Sequence, residues 1–314
     1  MIGPDPIPTT SPLFSIIIGV FNDWTPLDQC LRSLEQQTNE SGFEVIVVDD
    51  GSKEEAPEFI RGWVHHYPLT IVRERHVGIS AARNRGVQIS KGMVLVFVDA
   101  DCKLQANCLA ELASTIARSP RHNCFQLHLI GDRSGLVGRA EELRLITLQN
   151  HLLQPNGCIR YLNTAGFAIR RMTANIEGGV FDSVAARAED TLLLANLMQG
   201  GELPFFVPNA IVQHAIPLSL IECFRKDYRS AHLEGRTFDI IASKGVRIRV
   251  SHRERLSMLW SMWKTSKQQS IGKLAWFVLA ARQALRWIAL WFTNISKVRA
   301  TSPLSANSPE EPGP

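Results

Sequence analysis

Four short apolar runs recur in the first hundred residues, and a stretch with helical spacing follows each of the first three. The runs cover residues 14–20, 43–48, 69–73 and 93–98. Runs that are apolar at consecutive positions, rather than at alternate ones, are typical of strands buried on both faces. Such strands separated by helices predict an α/β fold, with a mostly parallel central sheet covered by helices on both faces.

Acidic residues stand where two of these strands end. Asp49 and Asp50 follow the second run, and Asp99 and Asp101 follow the fourth. Open α/β sheets bind ligands in the crevice outside the carboxyl ends of their strands, so these carboxylates predict a ligand site. Charges that end a buried strand are costly without a cation, and Mg²⁺ or Mn²⁺ on a diphosphate fits that need. The alternative is that these acids only cap helices or shape turns.

The third helical stretch, residues 79–90, carries two arginines, Arg83 and Arg85. Its amino end faces the same predicted crevice. Helix amides and guanidinium groups both favour phosphate, so this segment is a candidate for binding a phosphorylated ligand. The alternative is a solvated helix face.

Composition narrows the class of protein. The chain has 314 residues, 45% of them hydrophobic and 20% charged, which is typical of a globular protein with one large domain and an appendage. A net charge of +4 is too small to indicate a nucleic-acid partner. The six cysteines form no CxxC pair and are interpreted as reduced thiols of a cytoplasmic protein. Residues 1–12 lack the pattern of a signal peptide and, like residues 300–314, are predicted to be a flexible tail.

The last part of the chain, residues 219–299, is predicted to be a helical extension. Within it, residues 271–297 form an apolar helix with one narrow polar stripe that contains Arg282, Arg286, Thr293 and Lys297. Two central arginines make a membrane-spanning helix unfavourable. We expect an amphipathic helix on the inner face of the membrane, and the alternative is a helix packed on the protein's own domain or in a dimer.

Three motifs occur in order along the first hundred residues: VVDDGS at 47–52, GISAARNRG at 78–86 and FVDAD at 97–101. Together they resemble glycosyltransferase family 2, which has the GT-A fold and uses nucleotide-diphosphate sugars. The resemblance covers a predicted domain of residues 13–218. It implies that Asp50 contacts the nucleobase with Asp49 close behind, that Arg83 lies beside the nucleotide, that Asp99 faces the ribose or sugar, and that Asp101 holds a divalent metal.

The resemblance also extends to the second half of the chain. Glu189 and Asp190 match the family's acidic pair at the start of a helix, which places Glu189 at the nucleotide sugar and makes Asp190 the candidate general base. Inverting sugar transfer needs such a base on the acceptor hydroxyl, opposite a leaving group that a metal neutralises. The alternative for this pair is favourable charge in a first helical turn. His214 is a second candidate metal ligand or, alternatively, a structural histidine.

The expected activity is the transfer of a single sugar from a nucleotide donor to a hydroxyl of a polysaccharide or lipid-linked glycan. The region of residues 223–228 reads CFRKDY and not the Q-x-x-R-W motif of processive synthases, which argues against such an enzyme; the string QALRW occurs at 283–287, within the predicted amphipathic helix. The first strand ends in Phe21-Asn22, where the family often has a Pro-x-Tyr-Asn ending, so base contacts there are not fixed by the motif. Two other functions remain open: a nucleotidyltransferase that makes nucleotide sugars, and a non-catalytic scaffold that binds them.

Overall fold

A computed structural model describes residues 12–38, 42–62, 65–183, 185, 187–215, 219–246, 248 and 252–300. The predicted tails lie outside them, except for Pro12 and Ala300.

Within the described ranges, eight strands form one mixed sheet in the order β3-β2-β1-β4-β7-β6-β8-β5. The strands are β1 (Phe14–Val20), β2 (Phe43–Asp49), β3 (Leu69–Arg73), β4 (Val94–Asp99), β5 (Cys102–Leu104), β6 (Cys124–Gly131), β7 (Phe167–Arg170) and β8 (Phe205–His214). The first four are mutually parallel, as the sequence predicts. Strand β7 runs antiparallel to both of its neighbours, and β5 runs antiparallel to β8.

Nine helices accompany the sheet in the described part of the chain. They are α1 (Trp24–Glu35), α2 (Glu58–Arg61), α3 (Ile79–Ile89), α4 (Cys108–Arg118), α5 (Leu136–Leu152), α6 (Glu189–Gln199), α7 (Leu220–Ser243), α8 (His252–Gln268) and α9 (Lys273–Ala300). Both faces of the sheet are covered: Ile16 and Ile18 of β1 pack in one core cluster with α1 and α4, whereas Ile17 packs in a second with α6. The predicted α/β class with its C-terminal helices is therefore confirmed.

Two helices are shorter than the periodicity predicts. The residue pattern of 54–66 predicts a helix, but only the single turn α2 forms. The pattern of 185–199 predicts another, but α6 begins only at Glu189, because Ala188 adopts left-handed backbone angles (φ 60°). This later start puts Glu189 and Asp190 in the first turn of α6.

The pattern of residues 163–171 predicts a glycine-bearing strand or loop, and the segment contains a 3₁₀ turn followed by β7. Gly166 ends that turn close to the sheet. A Cβ atom there would lie 2.8 Å from Cδ2 of Leu129, so a larger residue would require the Leu129 side chain to shift.

The C-terminal helices pack on the rest of the chain through α5. Leu143 of α5 shares a buried cluster with Met258 and Met262 of α8 and Leu279 of α9. The arginine stripe of α9 faces α7: Arg282 and Arg286 pair with carboxylates of that helix, as the alternative of packing on the protein's own domain predicts. Thr293 and Lys297 lie outside the described side chains. Among the described residues, no helix has the length and apolar character that crossing a membrane requires.

Candidate functional site

The carboxylates predicted at the strand ends lie at one edge of the sheet. Asp49 and Asp50 are both buried. Asp49 accepts a hydrogen bond from the Ser52 amide (2.8 Å) and lies 3.5 Å from Arg73 Nε. Its carboxylate thus also shapes the turn after β2, as the turn alternative expects. In that turn Gly51 has φ +74°, and a Cβ atom would lie 2.7 Å from the amide nitrogen of His76.

Asp50 binds the loop that precedes α3. It accepts hydrogen bonds from the amides of Val77 and Gly78 at 2.9–3.2 Å, and it lies 2.9 Å from Nδ1 of His76. The His76 ring stacks on Phe21 with centroids 4.3 Å apart, and both rings are exposed. Sequence reasoning missed this aromatic pair, although the position of Phe21 after β1 was a signal that could have found it.

Arg83 is not on a solvated helix face; it is buried between two carboxylates. Its guanidinium donates to Asp99 (2.7 Å) and to Glu189 (2.8 Å), and it lies 5.4 Å from the ring centre of Phe181. Burial alone would lower the pKa of Arg83, but the charges of Asp99 and Glu189 outweigh it and raise the pKa. The guanidinium therefore stays charged and ties the start of α6 to the end of β4.

Asp190 follows Glu189 and lies in a different environment. Burial, and then the charge of Glu189, raise the pKa of Asp190 to about 7, although hydrogen bonds from Thr191 and the charge of Arg83 oppose the shift. The Thr191 amide donates to it at 2.6 Å and the Thr191 hydroxyl at 3.2 Å. A carboxylate with a pKa near the operating pH suits proton transfer.

Asp101 and His214 face each other across the β5–β8 pair, in which Cys102 is the register partner of His214. Nε2 of His214 lies 3.4 Å from Oδ1 of Asp101. Burial alone would raise the pKa of Asp101, but the hydrogen bond and charge of His214 lower it. Burial alone would lower the pKa of His214, but contacts with Asp101 and Glu141 raise it to about 10.

This pair fits a divalent cation. Two adjacent ligands of an octahedral Mg²⁺ or Mn²⁺, at about 2.1 Å from the ion, lie roughly 3 Å apart. Ligand atoms of Asp101, Cys102 and His214 all lie within 4.8 Å of one another. However, burial and the charge of Asp101 raise the pKa of the Cys102 thiol well above its usual range, so the thiol stays protonated and is a poor ligand.

Three residues near this pair were missed by sequence reasoning. Asp23, just before α1, has a raised pKa because of burial and then the charge of Asp101. Glu141 and Arg144 of α5 form a buried ion pair in which Arg144 Nε lies 2.9 Å from Oε2 of Glu141. The three-residue spacing of Glu141 and Arg144 was a weak signal, because such pairs are common on solvated helix surfaces.

The model of glycosyl transferase family 2 matches residues 15–178, which is more than half of the chain. Glycosyltransferase AglE of Haloferax volcanii is 35% identical over 112 residues, covering 35% of this chain and 37% of AglE. A PGL/p-HBAD biosynthesis glycosyltransferase of Mycobacterium bovis is 37% identical over 109 residues, covering 34% of this chain and 42% of the relative. Both matches span less than half of the relative's length.

Solved structures share the fold at low sequence identity. Mannosyltransferase PcManGT from Pyrobaculum calidifontis, solved with GDP-Man and Mn²⁺, has a TM-score of 0.59 at 17% identity, covering 92% of this chain and 89% of that one. Residues 1–349 of S. aureus TarS, solved with UDP, give 0.53 at 17% identity, covering 92% of each chain. These likenesses support the GT-A fold. The match of the family model over residues 15–178 shows which family the chain belongs to. The chain belongs to glycosyl transferase family 2.

Proposed function

We propose that this protein is a metal-dependent, inverting glycosyltransferase. It transfers a single sugar from a nucleotide-diphosphate donor to a hydroxyl of a polysaccharide or lipid-linked glycan. The observation that carries the proposal is the Arg83 bridge, which joins Asp99 to Glu189. Because Asp101 is two residues from Asp99 and Asp190 follows Glu189, this bridge supports a single site that contains the candidate metal ligand and the candidate base.

The donor is assigned from the sheet edge and from the family. Asp49 and Asp50, with the exposed Phe21–His76 pair, offer a carboxylate and a flat aromatic surface for a nucleoside. The similar structures of TarS and PcManGT were solved with UDP and with GDP-Man and Mn²⁺. This support concerns the class of donor, not its base or sugar.

In the proposed mechanism, Asp101 and His214 would hold the cation. Bound there, it would neutralise the charge that develops on the departing diphosphate. Asp190 accepts the proton of the acceptor hydroxyl as its oxygen attacks the anomeric carbon from the opposite side. Arg83 positions both groups through Asp99 and Glu189.

The test is donor turnover by the full chain with a panel of nucleotide sugars, read as released nucleoside diphosphate. We expect turnover to require Mn²⁺ or Mg²⁺ and to stop with a chelator. Asp190→Asn should lower turnover by about 10²–10⁴-fold, the usual contribution of a general base. Since the pKa of Asp190 is about 7, wild-type activity should rise with pH through neutrality as the base loses its proton.

Controls separate this proposal from the alternatives. Glu58→Gln changes an exposed carboxylate on α2 and should leave turnover unchanged. Wild-type activity in both Asp101→Ala and Asp190→Asn would contradict the mechanism. Release of pyrophosphate from a nucleoside triphosphate and a sugar phosphate would indicate a nucleotidyltransferase, and tight donor binding without turnover would indicate a scaffold.

We also propose that the protein associates peripherally with the inner face of a membrane through α8 and α9. Four apolar side chains of α8 and α9 are 57–68% exposed: Leu256, Trp260, Leu274 and Phe277. Lys264 Nζ lies 3.5 Å from the ring centre of Trp260, and Lys267 Nζ lies 4.8 Å from that of Trp263. Tryptophan beside lysine suits an anionic lipid interface, where the ring enters the headgroup layer and the amine stays in water.

Vesicle flotation tests this face. Wild type should float with vesicles that contain anionic lipid, and Trp260→Ser with Phe277→Ser should remain at the bottom of the gradient. Met172→Ser removes an exposed apolar side chain away from α8 and α9 and should float like wild type. Equal flotation of the double variant and wild type would contradict the proposal. Truncation before α9 is a poor test, because it would also remove buried core residues such as Leu279.

A further inference from the structure

We propose that Glu141 of α5 is a positioning residue that orients His214 as a metal ligand. The inference rests on the proposed function, because it takes Asp101 and His214 as the metal site. It gives a role to the Glu141–Arg144 ion pair on α5, which takes no part in the proposed reaction itself.

Glu141 is buried and held in place. Its side chain is only 4% exposed, and a carboxylate in that position is costly unless other groups bind it. Arg144 binds both of its oxygens, through Nε at 2.9 Å from Oε2 and through a shorter contact to Oε1. Arg144 in turn contacts the hydroxyl of Tyr161, which accepts a hydrogen bond from Asn163 at 3.1 Å.

The imidazole of His214 lies between two carboxylates, one at each ring nitrogen. Nε2 lies 3.4 Å from Asp101, and Nδ1 lies 3.9 Å from Oε1 of Glu141. Nδ1 is buried and makes no hydrogen bond to any described residue. A carboxylate that accepts a hydrogen bond from Nδ1 keeps the proton on that nitrogen, so that Nε2 is the nitrogen that gives up its proton and offers a lone pair to a cation beside Asp101.

A distance of 3.9 Å between Nδ1 of His214 and Oε1 of Glu141 is too long for a hydrogen bond. We therefore expect this distance to shorten when Nε2 binds a cation. Partners of this kind are common behind metal-bound histidines, where they fix the ring and raise its basicity. Their loss costs about 10–100-fold in metal affinity, which sets the size of the effect expected here.

The neighbouring residue Glu142 provides a matched control. It is equally buried on the same helix, but its oxygens bind Arg133 and the Gly131 amide rather than His214. Glu141→Gln and Glu142→Gln therefore each remove one buried negative charge from α5. Only the first removes the partner of the His214 ring.

Binding of Mn²⁺ alone to the full chain tests the inference, with free Mn²⁺ followed by electron paramagnetic resonance. We expect Asp101→Ala and His214→Ala to abolish binding, Glu141→Gln to weaken it about 10–100-fold, and Glu142→Gln to leave it unchanged. Spin-echo modulation from an imidazole nitrogen should appear in wild type and Glu142→Gln and weaken in Glu141→Gln. A merely structural role of Glu141 would change the melting temperature but not this signal.

The outcomes distinguish the two proposals. Wild-type affinity and modulation in Glu141→Gln, with both lost in His214→Ala, would overturn this inference and leave the proposed metal site intact. Wild-type affinity in Asp101→Ala and His214→Ala, or no binding by wild type, would overturn the metal site and the inference together. If Glu141→Gln does not fold, Glu141→Asp keeps the charge but shortens the reach toward Nδ1. A several-fold loss of affinity is then expected, and unchanged affinity would overturn the inference.

Discussion

Two buried arginine clusters in this protein look alike and occupy very different places. In the first, Arg83 is 3% exposed and lies between Asp99 and Glu189. In the second, Arg282 of α9 is 12% exposed and binds Asp227 of α7 at 2.7 and 3.2 Å. Both join elements that are distant in sequence. A buried arginine with a carboxylate partner is therefore not enough to identify a functional site.

The carboxylates separate the two clusters. Asp99 ends β4 and Glu189 begins α6, so the first cluster lies where backbone elements terminate at the sheet edge. Asp99 is also 34% exposed, which leaves part of it open to a ligand. Asp227 lies inside α7, is 7% exposed and faces another helix. The first cluster can contact a ligand, whereas the second joins two helices.

The largest effect is expected from Arg83→Met. Removing the guanidinium leaves the largely buried Glu189 and the partly exposed Asp99 without their cation, and breaking a buried pair typically costs about 3–5 kcal/mol of unfolding free energy. Donor turnover should also be lost, because α6 and Asp190 are no longer tied to the end of β4. Urea unfolding and the nucleoside diphosphate assay measure the two effects. A folded variant with wild-type turnover would show that the bridge is structural only.

Arg282→Met should destabilise the chain by a similar amount, about 3–5 kcal/mol, because it leaves the buried Asp227 with only a 3.8 Å contact to Arg286. Donor turnover at a temperature where the variant is folded should match wild type. The same two assays apply. Loss of turnover in the folded variant would mean that the α7–α9 cluster supports the site, and the distinction between the clusters would fail.

The sequence predicts one cluster better than the other, and the reason is physical. Strand ends and motif spacing place Asp99 and Asp101 at the sheet edge, because backbone periodicity reports which elements exist and where they stop. Backbone periodicity does not show which side chains contact each other in the folded chain. Arg83 and Glu189 are 106 residues apart, and the helical stripe around Arg282 predicted a polar face without showing that α7 covers it. Glu141 was missed for the same reason.

A smaller, pH-dependent effect on the unfolding free energy is expected from Asp190→Asn. It tests whether the charge of Asp190 is costly in the folded chain. The pKa of Asp190 is about 7 in the folded chain, against about 3.9 when unfolded. The unfolded chain therefore loses this proton first, and the unfolding free energy falls as the pH rises from about 4 to 7. Asn cannot ionise, so the variant should be more stable than wild type by about 1–2 kcal/mol at pH 8, allowing for solvent screening. At pH 4 the two should be equal. Urea unfolding at both pH values measures the difference, and an equal difference at both would mean that the Asp190 charge is not the cause.

The smallest effect is expected from Arg286→Met, in the same cluster as Arg282. Arg286 donates to Glu234 at 2.7 and 2.9 Å, but it is 30% exposed, so water and salt screen the pair. We expect a loss of about 1 kcal/mol of unfolding free energy, smaller at high than at low NaCl concentration. The larger loss in Arg282→Met should depend less on salt, because that pair is more deeply buried. Urea unfolding of both variants at the two salt concentrations makes the comparison. Equal losses would mean that burial does not set the strength of these pairs, and the same reasoning would then fail for Arg83.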